Sequence, residues 1–264
     1  MEKGKVKDFL ISSRDEAVSA VVENDMLPIA VEEIADIVVS EGIAEIVGTL
    51  VGAFAPRING IRLSYKQNRF ETRVSSALTL MAKRIDVMEA NYAVLTEEVQ
   101  EKFRGQYVEW LLDNLEVEKQ QEKVPYHVNG FINLMSNDAN DNLMLMFFDT
   151  INQLTQLDID VLAMYSMDAQ EDIISLCNRY NLKFEQVEVI KEKLERLGLV
   201  YSKNDEKRDN NIDEIVDYLN KVDKDQKKSK PKGVRLPNIK KPNRSTSYAI
   251  TSLGRDYLKV ISDK

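Results

Sequence analysis

LERLGLV at residues 194–200 ends one kind of structure and starts another, and YAITSLGRDYL at residues 248–258 does the same in reverse. Upstream of the first, Val187, Ile190, Leu194 and Leu197 recur at three- and four-residue steps, which predicts a helix over 183–197 with one apolar face. Gly198 stops that helix, since glycine reaches the left-handed conformation common just past a helix end. Leu199, Val200 and Tyr201 then open a strand. In the second stretch, residues 247–251 alternate like a strand, and Ser252 opens a final helix. Two short helices are predicted before the first stretch, over 158–167 and 170–181.

Three helices, a helix–Gly–strand junction, a long interruption and a strand–helix close resemble the winged-helix domains of bacterial regulators. The paired LERLGLV and YAITSLGRDYL carry that resemblance. It implies a winged-helix-like domain over 157–264, with a small β-wing and an inserted basic wing loop over 202–246 in which 212–219 reads as a small helix. In most such domains the third helix enters the DNA major groove. Here Glu185, Gln186, Glu188 and Glu192 are expected to face outward, where acids meet phosphate and weaken non-specific affinity.

The net charge of −8 is unevenly spread. Residues 221–244 hold ten Lys/Arg against two Asp, a local +8, so the rest of the chain carries −16. A basic arm on an acidic body is the implied arrangement. Lys227, Lys228, Lys230, Lys232, Arg235, Lys240, Lys241 and Arg244 are the candidate contacts to nucleic acid or to an acidic protein surface. No aromatic residue in the arm offers a base-stacking platform. A solvated loop remains the third reading.

Residues 1–124 read as a helical body with long helices. An amphipathic helix is predicted over 5–24, and Pro28 is placed to open the next. Over 29–55 a wide apolar side faces a narrow stripe of Glu33, Asp36, Glu41, Glu45, Gly48 and Gly52. This is a core helix or, with Gly48 and Gly52 as a G-x-x-x-G, a membrane-active one. Its shortness and its acidic polar face argue against a membrane partner. Pro56 is expected to end it.

A long helix follows over 61–91, with Val74, Leu78, Met81, Ile85, Met88, Tyr92 and Leu95 in heptad steps. That seam, 74–95, serves an intramolecular hairpin or a homodimer. Thr96 with Glu97 and Glu98 starts a helix over 97–118, and the charged run 116–123 marks a boundary. Residues 125–156 read as a connecting helical segment. Its Asn/Asp cluster at 136–142 lacks the alternation and closing Glu of a calcium loop, and is expected to cap the helix over 142–157.

The chemistry expected is sparse. His127 is the lone histidine and Cys177 the lone cysteine, the latter in an apolar helical pattern, so neither triads nor zinc spacings arise. Phosphate-cradling glycine loops are missing. The expectation is a non-enzymatic protein with no catalytic, cofactor or metal site. One cysteine fits a reducing cytoplasm. The charged N-terminus does not read as a signal peptide, and no run of about 18 apolar residues suggests a membrane span.

GAFAPRINGIRLSYKQNRFE (52–71), YHVNGFINLMSNDAND (126–141), LERLGLV and YAITSLGRDYL follow in an order that resembles the Abi-alpha family, associated with abortive infection in bacterial and prophage genomes. Where such families place a His-Pro-x-Phe-like opening, the proline here precedes the aromatic residue. The resemblance implies a part in phage–host conflict, through a protein partner or nucleic acid, and brings no active residues with it. Two other roles stand beside it: a DNA-binding regulator of a prophage or mobile element, and a membrane-perturbing effector acting through 42–55.

Overall fold

Sparse glycine and proline and dense three- and four-residue apolar spacing leave helices as the main way to satisfy this backbone. The computed structural model is accordingly mainly helical, with one two-stranded antiparallel sheet. It describes residues 12, 29–32, 34, 37, 40–136, 138–166, 169, 171–230, 232–241 and 247–263. Apart from Ser12, the helix expected over 5–24 lies outside these residues, as does Pro28. The chain forms two compact units, Met1–Leu157 with Leu258–Lys264, and Asp158–Tyr257. No helix among the described residues is long and apolar enough to cross a membrane.

The first unit contains α1 (Glu41–Gly60), α2 (Ser64–Lys83), α3 (Ile85–Ala93), α4 (Glu97–Arg104), α5 (Gln106–Val117), α6 (Val124–Asn133) and α7 (Asp141–Gln153). α5 packs against α1, α2, α4, α6 and α7. Aromatic rings fill the interior: Phe54 lies 5.1 Å from Phe70, and Phe103 lies 5.0 Å from Tyr107 and 5.4 Å from Phe131. Residues 125–156, expected as a connecting segment, supply α6 and α7, which pack on α5 and on each other.

Three helix boundaries depart from expectation. α1 continues through Pro56 to Gly60. Proline there removes the donor that would reach the Gly52 carbonyl, but Gly52 is exposed, so water can replace it. The long helix over 61–91 breaks at Arg84, whose guanidinium is gripped by Asn129 Oδ1 (2.8 Å) and Asn133 Oδ1 (2.9 Å) of α6. The helix over 97–118 breaks at Gly105, a poor helix former.

The heptad seam closes within one chain: Val74, Leu78, Met81, Ile85, Met88, Tyr92 and Leu95 are all buried. Of the two readings of this seam, the burial matches packing within one chain. Residues 42–55 likewise turn their apolar face inward, with Ile43, Ile46, Val47, Leu50 and Val51 buried. A glycine outside the G-x-x-x-G makes a close approach in α1. A Cβ on Gly42 would collide with the Tyr92 ring, whereas Gly52 faces open space. Asn140 caps α7, its side chain accepting from the Leu143 N–H at 3.0 Å.

α8 (Gln156–Ala163) leads into the second unit, followed by α9 (Ile173–Tyr180), α10 (Phe184–Arg196), β1 (Val200–Ser202), α11 (Lys203–Gln226), β2 (Tyr248–Ile250) and α12 (Ser252–Ile261). β1 and β2 pair antiparallel in the register Val200↔Ile250, Tyr201↔Ala249, Ser202↔Tyr248. α10 ends in a Schellman motif. The Leu199 N–H reaches the Leu194 carbonyl (2.9 Å) and the Gly198 N–H reaches Glu195 (2.8 Å), with Gly198 at φ +72°.

The expected wing loop over 202–246, with its short helix over 212–219, is corrected. From Lys203 to Gln226 it is one unbroken helix. Ser202 caps its start by accepting from the Asp205 N–H (3.2 Å), Asp205 and Glu206 favour the first turn, and no Gly or Pro interrupts it.

Candidate functional site

The basic arm leaves the C-terminus of α11 at Lys227 and is organised by one carboxylate. Asp225 Oδ1 takes the Lys228 ammonium at 3.0 Å, and Oδ2 accepts the Lys232 and Gly233 N–H groups at 2.9 and 2.8 Å. Gly233 at φ +79° makes the turn that brings both amides to one oxygen. The Lys228 bond first, then the Gly233 and Lys232 amides, hold the Asp225 carboxyl below the usual range. Farther along, Asn211 on α11 exchanges two bonds with the Lys240 backbone, at 2.7 and 2.9 Å, which ties the arm back to the helix.

The eight candidate cations therefore fall into three groups. Lys227 and Lys228 are engaged by Asp223 (2.6 Å) and Asp225. Lys230, Lys232, Arg235, Lys240 and Lys241 are exposed, and their side chains make no ion pair among the described residues. Arg244 lies outside the described residues.

The outer side of α10 has a different character. Glu185, Gln186 and Glu192 are exposed as expected, whereas Glu188 is half-buried and paired with Lys191 at 2.6 Å. Gln186 folds back to accept the Lys183 N–H at 2.9 Å. Phe184 and Val189 on the same helix are exposed, as is Ile174 on α9. Acids and bare hydrocarbon share this surface, while Cys177 is buried.

One cluster gave no sequence signal. His127 on α6 is fully buried, with Nε2 3.0 Å from Glu118 Oε2, and the buried Lys123 ammonium reaches the same oxygen at 2.6 Å. Glu118 Oε1 accepts the Lys119 and Gln120 N–H groups at 2.7 and 2.8 Å. Burial alone would raise the Glu118 carboxyl. The bonds from His127, Lys123 and the Gln120 amide outweigh it and bring it to about 2. Burial pushes His127 down, so the neutral ring places its proton on Nε2 toward the carboxylate, and Nδ1 has no partner among the described residues.

Arg73 lies alongside, brought to about 10 first by burial, with Nε bonded to the Leu115 carbonyl (2.5 Å) and Nη2 to that of Glu116 (2.9 Å). His127 itself is sealed from solvent. The cluster joins the end of α5 to α6. The charged run 116–123 reads as a boundary in the sequence because nothing local marks a charge as buried.

No family model matches the chain, and neither a curated protein nor a solved structure matches it.

Proposed function

We propose that this chain is a non-enzymatic, cytoplasmic protein of phage–host conflict, similar to the Abi-alpha family, that acts by gripping a protein partner through a winged-helix-like second unit. The order α8, α9, α10, β1, β2, α12 supports the winged-helix reading, with α10 in the position of a recognition helix and α11 plus the arm inserted in the wing. The observation that carries the protein-partner reading is the outer side of α10. Exposed Glu185 and Glu192 repel phosphate, while exposed Phe184 and Val189 suit an apolar protein surface.

A second reading, a DNA-binding regulator of a prophage or mobile element, is favoured by the unpaired cations of the arm. A titration against labelled duplex DNA at about 50 and 200 mM salt separates the two, because phosphate contacts weaken steeply over that range. The protein-partner reading expects no binding at the lower salt, together with capture of a partner from phage-infected cells that Val189→Asp abolishes. Steeply salt-dependent binding that is lost in a Lys230→Ala, Lys232→Ala, Arg235→Ala triple variant would put the regulator in its place.

A further inference from the structure

Lys66, Arg69 and Arg73 step by three and four residues, so one face of α2 carries all three, with Arg62 just before the helix. Like charges at this spacing repel and weaken a helix. None of these four makes an ion pair among the described residues, and neither does Lys119, beyond the end of α5. All five line one cleft of about 680 Å³, formed by the link 61–63, the start of α2 and the end of α5. Its lining includes two carboxylates, Glu116 and Glu118, and both are engaged elsewhere. Glu118 holds Lys123 at 2.6 Å and His127 at 3.0 Å, and Glu116 lies 3.8 Å from Arg57.

Arg73 is the least exposed of the five, at 4%, and its bonds go to carbonyls, from Nε to Leu115 and from Nη2 to Glu116. Arg69 likewise donates to the Lys119 carbonyl at 2.6 Å. The end of a helix offers roughly half a negative charge, which leaves most of two guanidiniums unneutralised. Buried charges are ordinarily paired, so the cleft is short of an anion. A second hollow of about 420 Å³ shares Arg69, Arg73 and Lys119 with the first. Asn68, in the lining of that hollow, keeps a buried Oδ1 without a partner among the described residues. The larger cleft also has an apolar side, where Leu63, Tyr65 and Val117 are 49, 57 and 64% exposed.

We propose that this cleft binds a phosphorylated small molecule, with its phosphate groups on Lys66, Arg69, Arg73 and Lys119 and an aromatic or apolar portion over Tyr65. Guanidinium forks match phosphate oxygens in shape as well as charge. A concave site of this volume, part apolar and with a few convergent charges, is what small ligands occupy, whereas a polymer backbone takes an open strip. The site lies wholly within the first unit, so it stands or falls apart from the protein-partner reading of α10.

The test titrates ATP and pyrophosphate into the full chain by calorimetry at about 100 mM salt, where screening removes loose surface attraction. Both probes are expected to bind one to one, ATP the more tightly, and to raise the melting temperature. The Lys66 and Lys119 side chains make no bond among the described residues, so Lys66→Glu and Lys119→Glu leave the unliganded melting temperature in place. Each lowers affinity for both probes about tenfold or more. Tyr65→Ala removes the advantage of ATP over pyrophosphate. Stripping the arm with Lys230→Ala, Lys232→Ala and Arg235→Ala together leaves binding unchanged. Absence of saturable binding by either probe overturns the proposal, and so does binding that survives both glutamate variants or is lost with the arm. Equal affinity for the two probes overturns the apolar portion. Duplex DNA or vesicles of anionic phospholipid, bound through Lys66 and Lys119 where ATP is not, would put a polymer backbone or a lipid headgroup in place of the small molecule.

Discussion

Gly254 sits against the carbonyl of Leu199 with no space for a side chain between them: a Cβ on Gly254 would collide with that oxygen. The same carbonyl accepts the Thr251 N–H (3.1 Å), and the Thr251 hydroxyl donates to the Gly198 carbonyl (2.7 Å) while accepting the Gly254 N–H (2.9 Å). The two stretches that read as helix–strand and strand–helix are thus joined at one point, where Thr and Gly each have a distinct task.

Gly254→Ala is therefore expected to destabilise the second unit by about 1–3 kcal/mol, because backbone must move to admit the methyl group. Thr251→Val, which removes only the hydroxyl bonds, should lose about 1 kcal/mol. Urea unfolding of both variants checks the order. Equal losses would mean that the close approach of Gly254 to Leu199 is not tight.

The first unit offers a matched pair of glycines. Gly42→Ala drives a methyl group into the Tyr92 ring and should lower the melting temperature. Gly52→Ala meets open space in a helix and should raise stability by up to about 1 kcal/mol. Thermal unfolding of the two, measured together, checks that α1 packs closely at Gly42 and not at Gly52.

Acid should unfold this protein in two stages. His127 titrates lower in the fold than its ordinary 6.5, so the unfolded chain gains a proton first and stability falls as pH drops below about 6.5. Glu118 sits at about 2 against an ordinary 4.5, so its contribution is complete above 4.5 and is lost between 4.5 and 2. A chemical-denaturation series from pH 8 to pH 3 reads both slopes, and His127→Gln should flatten the upper one (about pH 6.5 is the reference value for the free side chain).

Glu118→Gln strands the buried Lys123 ammonium and should cost about 3–5 kcal/mol at pH 7. Adding Lys123→Met to it should recover part of that loss. A double variant no more stable than the single one would mean that the two charges act independently.

In the arm, Asp225→Asn removes the charge that gathers Lys228 and the turn amides. Limited trypsin digestion should then cut between Lys227 and Lys232 several-fold faster, while cleavage elsewhere keeps its rate. Unchanged cutting there would show that the Asn211–Lys240 tie alone orders the arm.

What the sequence revealed was decided by short-range physics. The Gly198 stop, the Asn140 cap and the inward faces of the 74–95 seam each follow from spacing within a few residues. Breaks at Arg84 and Gly105 are invisible in the sequence because the apolar period runs through both. Arg84 is held by asparagines 45 and 49 residues away. α11 shows only its middle, 212–219, in the apolar pattern, because its first turns carry charge on every side and only Ser202 announces its start. The Glu118 cluster was hidden for a stronger reason, since a buried charge is recognisable only with its partners in place. The arm's eight cations were visible as composition, but composition could not say that Asp223 and Asp225 would engage two of them.

The turn at residues 260–262 has a consequence for the chain's birth on the ribosome. Asn129 donates to the Ile261 carbonyl (3.0 Å), and Asn133 donates to those of Val260 and Ser262 (both 2.8 Å), within the first unit. Synthesis proceeds from the N-terminus, so α6 emerges well before the segment that satisfies these amides. The unit begun first is completed last. Until residues 260–262 emerge, α6 presents asparagines without these acceptors, and a chain lacking those residues would leave the first unit, rather than the second, unfinished.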